Sequence, residues 1–85
     1  MRVRWLGWAG LEVTTDPGEV VVVDPLEDAA AVFAPLGLSV EQIRPPAVIA
    51  SIARGEAVAG LVTHLHRDHA DAAALTQALA SGAPV

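Results

Sequence analysis

All three histidines of the chain fall within six positions, at His64, His66 and His69, and the carboxyl group of Asp68 lies among them. Imidazole nitrogens and carboxylate oxygens are the donors that zinc and related divalent ions take from proteins. A further acid, Asp71, follows two residues after His69. At that position it is better suited to the N-terminus of a helix than to binding a metal. The residue types alone therefore predict a metal site in this cluster.

The spacing of the four donors indicates two metal ions. If the backbone stays extended as far as His66, its period of two places His64 and His66 on one side, where both can bind one ion. Asp68 and His69 follow a turn of the chain and can face a neighbouring position. Paired metals in hydrolases lie about 3.5–4 Å apart and hold a bridging hydroxide between them.

The donor chemistry narrows the choice of metal. The chain contains no cysteine, so thiolate ligands and disulfides are both excluded. Nitrogen and oxygen donors favour Zn²⁺, two ions per complete site, and Mn²⁺ or iron remain open.

Strand patterns precede the cluster. Residues 2–6 and 11–14 alternate polar and apolar side chains, as half-buried strands do. Residues 16–18 predict a turn, because proline fixes φ and glycine accepts a positive φ. The run of valines at Val20–Val23 is typical of a strand covered on both faces. Together these segments predict three antiparallel strands at the start of the chain.

The middle of the chain, residues 26–56, predicts a helical or irregular excursion between strands. A short helix is predicted over residues 27–34, ended by Pro35 and Gly37. A capping box at residues 39–42 and a second short helix from Pro46 follow.

An apolar strand is predicted at residues 58–63 and a helix at residues 70–80. The helix would bury a stripe of Ala72, Leu75 and Leu79. Residues 83–85 read as the first residues of another strand.

One acid lies outside the cluster at a position that is common for functional groups. Asp24 ends the valine strand, and the carboxyl end of a buried strand often carries such a group. A role as a cap or turn residue before Pro25 is equally open from these two residues.

The pattern His64-x-His66-x-Asp68-His69, after an apolar strand and before a helix, resembles the metal-binding signature of the metallo-β-lactamase fold hydrolases. Residues 4–11 and 21–25 are similar to the opening of the branch that contains ascorbate-6-phosphate lactonase-like proteins. The resemblance implies an α/β (α+β) fold class, namely the N-terminal half of a four-layer αβ/βα sandwich. Its order would be antiparallel strands, a helical excursion, a strand, the HxHxDH loop and a helix.

The resemblance also implies roles for individual residues. His64 and His66 would bind the first metal, and Asp68 and His69 the second. Asp68 would also be catalytic, orienting or deprotonating the nucleophile. Asp24 would stand behind the ligands rather than bind a metal itself.

The opening segment departs from its relatives at one position. Many relatives have histidine where this chain has Trp8, so no polar role carries over to that position. We expect Trp5 and Trp8 to pack in the core or at its rim.

The resemblance further implies ligands from a later half of the domain, a histidine for each metal and a bridging aspartate. No histidine follows His69 in the chain. Residues 1–85 are therefore expected to be the N-terminal part of a single domain, a fragment that is incomplete alone.

Two functions remain open. The first is a hydrolase in which a metal-bound hydroxide attacks an ester, lactone, thioester or phosphodiester. The second is a truncated or split half-domain, catalytically inactive and acting only with a partner chain. A mononuclear or transport-type metal site is a third alternative.

Composition limits the partners. Eighty-five residues support one small domain, which buries about 60–65% of its unfolded surface. A formal charge of −5 and no basic run argue against nucleic acid and anionic membranes. Neither a secretory leader nor an apolar run of membrane-spanning length is seen, so a cytoplasmic location is expected. The expected partners are a small-molecule substrate and the missing C-terminal half or a complementing chain. The substrate could carry an anionic group, which Arg67 could contact.

Overall fold

The computed structural model describes residues 1–27, 32–37, 54–66 and 68–85 as a mixed α+β arrangement. The strands are β1 (Arg2–Gly7), β2 (Gly10–Thr14), β3 (Val20–Val23) and β4 (Ala57–Leu61); a 3-10 turn spans Ala34–Leu36 and helix α1 spans Ala72–Ala78. The capping box at 39–42, the second short helix from Pro46 and residues 28–31 of the helix predicted over 27–34 lie outside the described residues.

The four strands form one sheet in the order β1-β2-β3-β4. β1, β2 and β3 pair antiparallel, as the alternating pattern predicts, whereas β4 pairs with β3 in parallel. The carboxyl ends of β3 and β4 therefore meet at the same edge of the sheet. The backbone N–H of Asp24 donates to the carbonyl of Leu61 across that edge, at 3.0 Å.

Helix α1 packs on one face of the sheet, over β3 and β4. Its buried residues are Ala74, Leu75 and Ala78. Leu75 and Ala78 pack with Val22 and Ala57 of the strands beneath. The helix lies very close to β4, because a Cβ atom at Gly60 would be 2.8 Å from Cδ2 of Leu75. A larger residue at position 60 would therefore require the end of the Leu75 side chain to move.

Helix α1 is shorter than the residues 70–80 predicted from sequence, and the predicted stripe is partly wrong. Asp71 is the N-cap, and Leu79 is already extended and forms a parallel bridge with Ala57. Ala72 is exposed, and the buried face is turned toward Ala74 and Ala78. The helix ends early because its last residues pair with β4, which is a tertiary effect.

The chain after α1 continues along β4. The N–H of Gly60 donates to the carbonyl of Pro84 at 2.9 Å, beyond a turn at residues 81–82. A strand was predicted to begin at residue 83. Residues 83–85 lie beside β4 through this hydrogen bond but are not assigned as a strand. Among the described residues, no helix has the length and apolar character needed to cross a membrane.

The opposite face of the sheet is apolar and largely uncovered. The register aligns two rows of side chains on that face, the first being Val3, Val13, Val21 and Ala59 and the second being Trp5, Leu11, Val23 and Leu61. None of the eight is buried, and Val3 and Leu61 are each 54% exposed. We call these eight residues the open sheet face.

A second small cluster lies near the carboxyl edge. Leu26 and Phe33 are buried, and Trp8 and Val32 pack against them. The rings of Trp8 and Phe33 meet edge-to-face, with centroids 5.1 Å apart. This cluster fixes the hairpin between β1 and β2 beside the segment that follows β3.

Candidate metal centre

Asp24 lies at the carboxyl edge of the sheet with its side chain 2% exposed. Its backbone is left-handed, with a φ of 44° that Asp tolerates better than most residues. One carboxylate oxygen accepts the N–H of Thr63 at 2.8 Å. The other accepts the Thr63 hydroxyl at 2.6 Å and Nδ1 of His69 at 2.7 Å. A buried acid with three donors aimed at it is held in place as a charged acceptor.

The charge of Asp24 follows from these contacts. Burial on its own raises the pKa of the carboxyl group. The hydrogen bonds from the Thr63 hydroxyl, from His69 and from the Thr63 amide outweigh burial, and the pKa lies below its usual value. Asp24 is therefore ionised at neutral pH and can only accept hydrogen bonds.

An ionised Asp24 determines which nitrogen of His69 is available to a metal. Because the carboxylate only accepts, the hydrogen between Asp24 and His69 is assigned to Nδ1 of the imidazole. The other ring nitrogen, Nε2, then presents its lone pair on the opposite side. A carboxylate behind a histidine in this way is the arrangement that orients metal-binding histidines in proteins.

Thr63 fixes the tautomer of His64 through a hydrogen bond, as Asp24 does for His69. The spacing of the motif does not predict this contribution. The Thr63 hydroxyl gives its single proton to Asp24, so it accepts from Nδ1 of His64, 3.1 Å away. This leaves Nε2 of His64 free for a metal. Thr63 could have been identified from the sequence by its position between the predicted strand and the histidine motif.

A turn brings His69 and Asp68 back toward His64. The N–H groups of His69 and Ala70 both donate to the carbonyl of His66, at 2.9 and 2.8 Å. Nε2 of His69 then lies 3.5 Å from Oδ2 of Asp68. Two ligands of one tetrahedral zinc ion, each about 2.0–2.1 Å from it, are about 3.4 Å apart, so this pair fits a single ion.

Three of the predicted ligands converge. One ligand atom from each of His64, Asp68 and His69 lies within 4.8 Å of the others. The rings of His64 and His69 are close, with centroids 3.9 Å apart. The donor set of two imidazoles and a carboxylate suits zinc, and the residues present therefore fit a bound metal ion.

His66 lies beside this group rather than in it. Its ring meets the ring of His64 with centroids 4.8 Å apart. The placement of His64 and His66 on one side was predicted on the condition that the backbone stays extended to His66. That condition is not met, because β4 ends at Leu61 and residues 63–66 bend. Arg67 lies outside the described residues.

Asp71 is a helix cap, as expected from its position. Its Oδ1 accepts the N–H groups of Ala73 and Ala74 at 3.1 and 3.2 Å. Its Oδ2 accepts the N–H of Glu27 at 2.9 Å, which ties α1 to the segment after β3. Both oxygens are thus engaged away from the three-donor group.

Trp8 has a polar contact that was not expected. Its indole Nε1 donates to Oδ2 of Asp68 at 3.1 Å, across 60 positions of sequence. The Trp8 carbonyl in turn accepts Nε1 of Trp5 at 2.9 Å. Trp8 does pack against the cluster of Leu26 and Phe33, so the packing expectation is correct but incomplete.

A cleft opens next to these groups. Of the described residues, His66 and Asp68 line one part and Val32, Pro35 and Leu36 another, and the cleft has a volume of about 430 Å³. Among these lining residues, only the two proposed ligands are polar. A substrate in contact with the metal centre would therefore meet an apolar wall.

Comparison with known proteins finds a relative among curated proteins. A UPF0173 metal-dependent hydrolase from Cupriavidus necator is 38% identical over 77 residues, which are 89% of this chain and 23% of that protein. The chain thus spans about a quarter of the length of the curated relative. No protein-family model matches the chain, and no solved structure matches it.

Proposed function

We propose that this chain carries the first metal ligands of a metal-dependent hydrolase of the metallo-β-lactamase fold. The observation that carries the proposal is the connected series Asp24, His69 and Asp68, with His64 alongside. A buried carboxylate orients one imidazole, and that imidazole faces a second carboxylate at a separation suited to one ion. The name of the Cupriavidus relative agrees with this chemistry.

The division of ligands proposed here is His64 with His66 and Asp68 with His69. Zinc is the preferred metal for these donors, with two ions per complete site and Mn²⁺ or iron as alternatives. A bound ion of this kind supplies an activated water at neutral pH and stabilises negative charge that develops on the substrate oxygen.

The residues of the chain have distinct tasks in this proposal. Asp24 and Thr63 hold the two imidazoles in the tautomer that leaves Nε2 free. Asp68 binds a metal and orients or deprotonates the attacking water. Its half-buried carboxylate is held between the indole of Trp8 and the ring of His69, so it is aimed before substrate arrives.

The substrate proposed is a small ester, lactone, thioester or phosphodiester. Because Val32, Pro35 and Leu36 form the wall of the cleft beside Asp68, we place an apolar group of the substrate there.

The complete domain is proposed to be a sandwich. The open sheet face consists of eight apolar side chains in two aligned rows, which is the surface that a second sheet covers in such an architecture. The second sheet and the remaining ligands would come from a C-terminal half or from a complementing chain. The alternative, a half-domain with no activity of its own, shares the same metal ligands.

Turnover by the chain distinguishes these functions. The 85-residue protein is assayed with zinc on an aryl ester, a lactone, a thioester and a phosphodiester, alongside Asp68→Asn and Asp71→Asn. The two substitutions make the same chemical change three residues apart, but only Asp68 belongs to the metal centre. Zinc-dependent hydrolysis lost in Asp68→Asn and kept in Asp71→Asn supports the hydrolase. Bound zinc with no turnover of any substrate overturns catalysis by this chain and favours the half-domain.

A further inference from the structure

Trp8 occupies an unusual position for a large aromatic residue. It lies between β1 and β2 with a φ of 51°, a left-handed backbone that bulky residues rarely adopt. Such a conformation is strained and persists only where surrounding contacts maintain it. The contacts described here are the edge-to-face packing on Phe33, the hydrogen bond to Asp68 and the indole N–H of Trp5, which donates to the Trp8 carbonyl.

The hydrogen bond reaches one specific oxygen. Oδ2 of Asp68 accepts the indole N–H at 3.1 Å and lies 3.5 Å from Nε2 of His69. A carboxylate oxygen has two lone-pair sites, so Oδ2 can take the indole proton on one side and remain available on the other. The indole has no acceptor and cannot itself bind a metal, which leaves orientation of the carboxylate as its polar task.

We propose that Trp8 is a positioning residue of the metal centre, which fixes the carboxylate of Asp68 through its indole N–H. The inference rests on the proposed metal centre and adds to it a residue outside the histidine motif. The ring of Trp8 is anchored on Phe33, so the donor is held by the apolar cluster beside the site. The hairpin between β1 and β2 thereby sets the geometry of a ligand 60 residues later.

Two matched variants test this role. Trp8→Phe keeps an aromatic ring to pack on Phe33 and removes the N–H that reaches Asp68. Trp5→Phe removes the other indole N–H, which donates to the backbone carbonyl of Trp8, and keeps the Trp8 N–H in place. Zinc affinity is measured by competition with a chromophoric chelator. Loss of an outer hydrogen bond to a ligand weakens metal binding by about 10–100-fold, so Trp8→Phe should bind zinc at least about tenfold more weakly than the wild type. Trp5→Phe should bind within about threefold of the wild type.

A second readout separates positioning from simple structural support. The chain has two tryptophans and therefore two indole N–H signals in a ¹H–¹⁵N spectrum, which the two variants assign. The Trp8 signal should shift when zinc is added. It should also shift in metal-free Asp68→Asn and stay in place in metal-free Asp71→Asn. A contribution to folding alone would not connect this signal to Asp68 or to zinc.

The outcomes are distinct for the two proposals. If the wild type binds zinc and Trp8→Phe binds it equally well, the role of Trp8 is overturned and the metal centre stands. If the Trp8 indole signal shifts neither on addition of zinc nor in Asp68→Asn, the role is overturned even where Trp8→Phe lowers the zinc affinity. If the wild type binds no zinc, both proposals fail together.

Discussion

Asp24 connects both halves of the candidate site at the level of single residues. Its carboxylate lies at the end of β3 and receives Thr63 and His69 from the segment after β4. The same oxygen, Oδ2, governs the tautomer of His69 directly and that of His64 through Thr63. A single buried charge therefore contacts one proposed ligand directly and the other through Thr63.

Replacing Asp24 with asparagine tests this dependence. Asparagine has nearly the same shape but carries no charge, and its NH₂ group would face one of the three donors. We expect unfolding free energy of the metal-free chain to fall by about 1–3 kcal/mol, measured by urea denaturation. We also expect zinc affinity to fall about 10–100-fold. Unchanged affinity in Asp24→Asn would show that this carboxylate does not orient the ligands.

At the level of elements, the cap of α1 joins the helix to the segment after β3. Asp71 accepts two N–H groups from the first turn of the helix and a third from Glu27. The loop that carries Asp68 and His69 ends at this cap, so the cap determines where the loop meets the helix. Asp71 therefore supports the framework of the site and is not a proposed metal ligand.

Removing the cap should destabilise the chain without removing a ligand. Asp71→Ala is expected to lower the free energy of unfolding by about 0.5–2 kcal/mol, whereas Asp71→Asn should keep most of it, since asparagine caps helices about as well. Urea denaturation of the two variants measures the difference. Equal stability of Asp71→Ala and the wild type would show that the cap contributes nothing.

The strands were predictable because their side chains alternate locally. The ends of α1 were not, because Leu79 leaves the helix to pair with Ala57, more than twenty residues earlier. The same distinction holds at the site. Spacing identified the histidine cluster, but the contacts of Thr63 with Asp24 and of Trp8 with Asp68 span 39 and 60 positions. Contacts between residues so far apart in sequence depend on the parallel pairing of β3 with β4 and on the position of the β1–β2 hairpin beside them.

At the level of the whole molecule, the sheet is covered unevenly. Helix α1 covers the β3 and β4 part of one face. The open sheet face leaves residues such as Val3, Trp5 and Leu61 at 40–54% exposure. Apolar surface of this kind is normally covered by another element or by a partner. The sandwich proposed for the complete domain would supply that cover as a second sheet.

The open sheet face should make the isolated chain associate with itself. Leu61→Lys places a charge on that face and is expected to shift the sedimentation of the chain toward monomer. Leu65→Lys is the matched control, because Leu65 is 88% exposed and lies in the histidine loop away from the sheet. A wild-type chain that stays monomeric at high concentration would contradict the proposal that this face requires cover.

Zinc binding by the 85-residue chain tests the central claim most directly. Equilibrium competition with a chromophoric chelator is measured for the wild type, Asp68→Asn and Asp71→Asn. The account predicts at least one zinc ion per chain in the wild type and in Asp71→Asn, and affinity at least about tenfold lower in Asp68→Asn. Zinc bound equally by all three proteins, or by none of them, would contradict it.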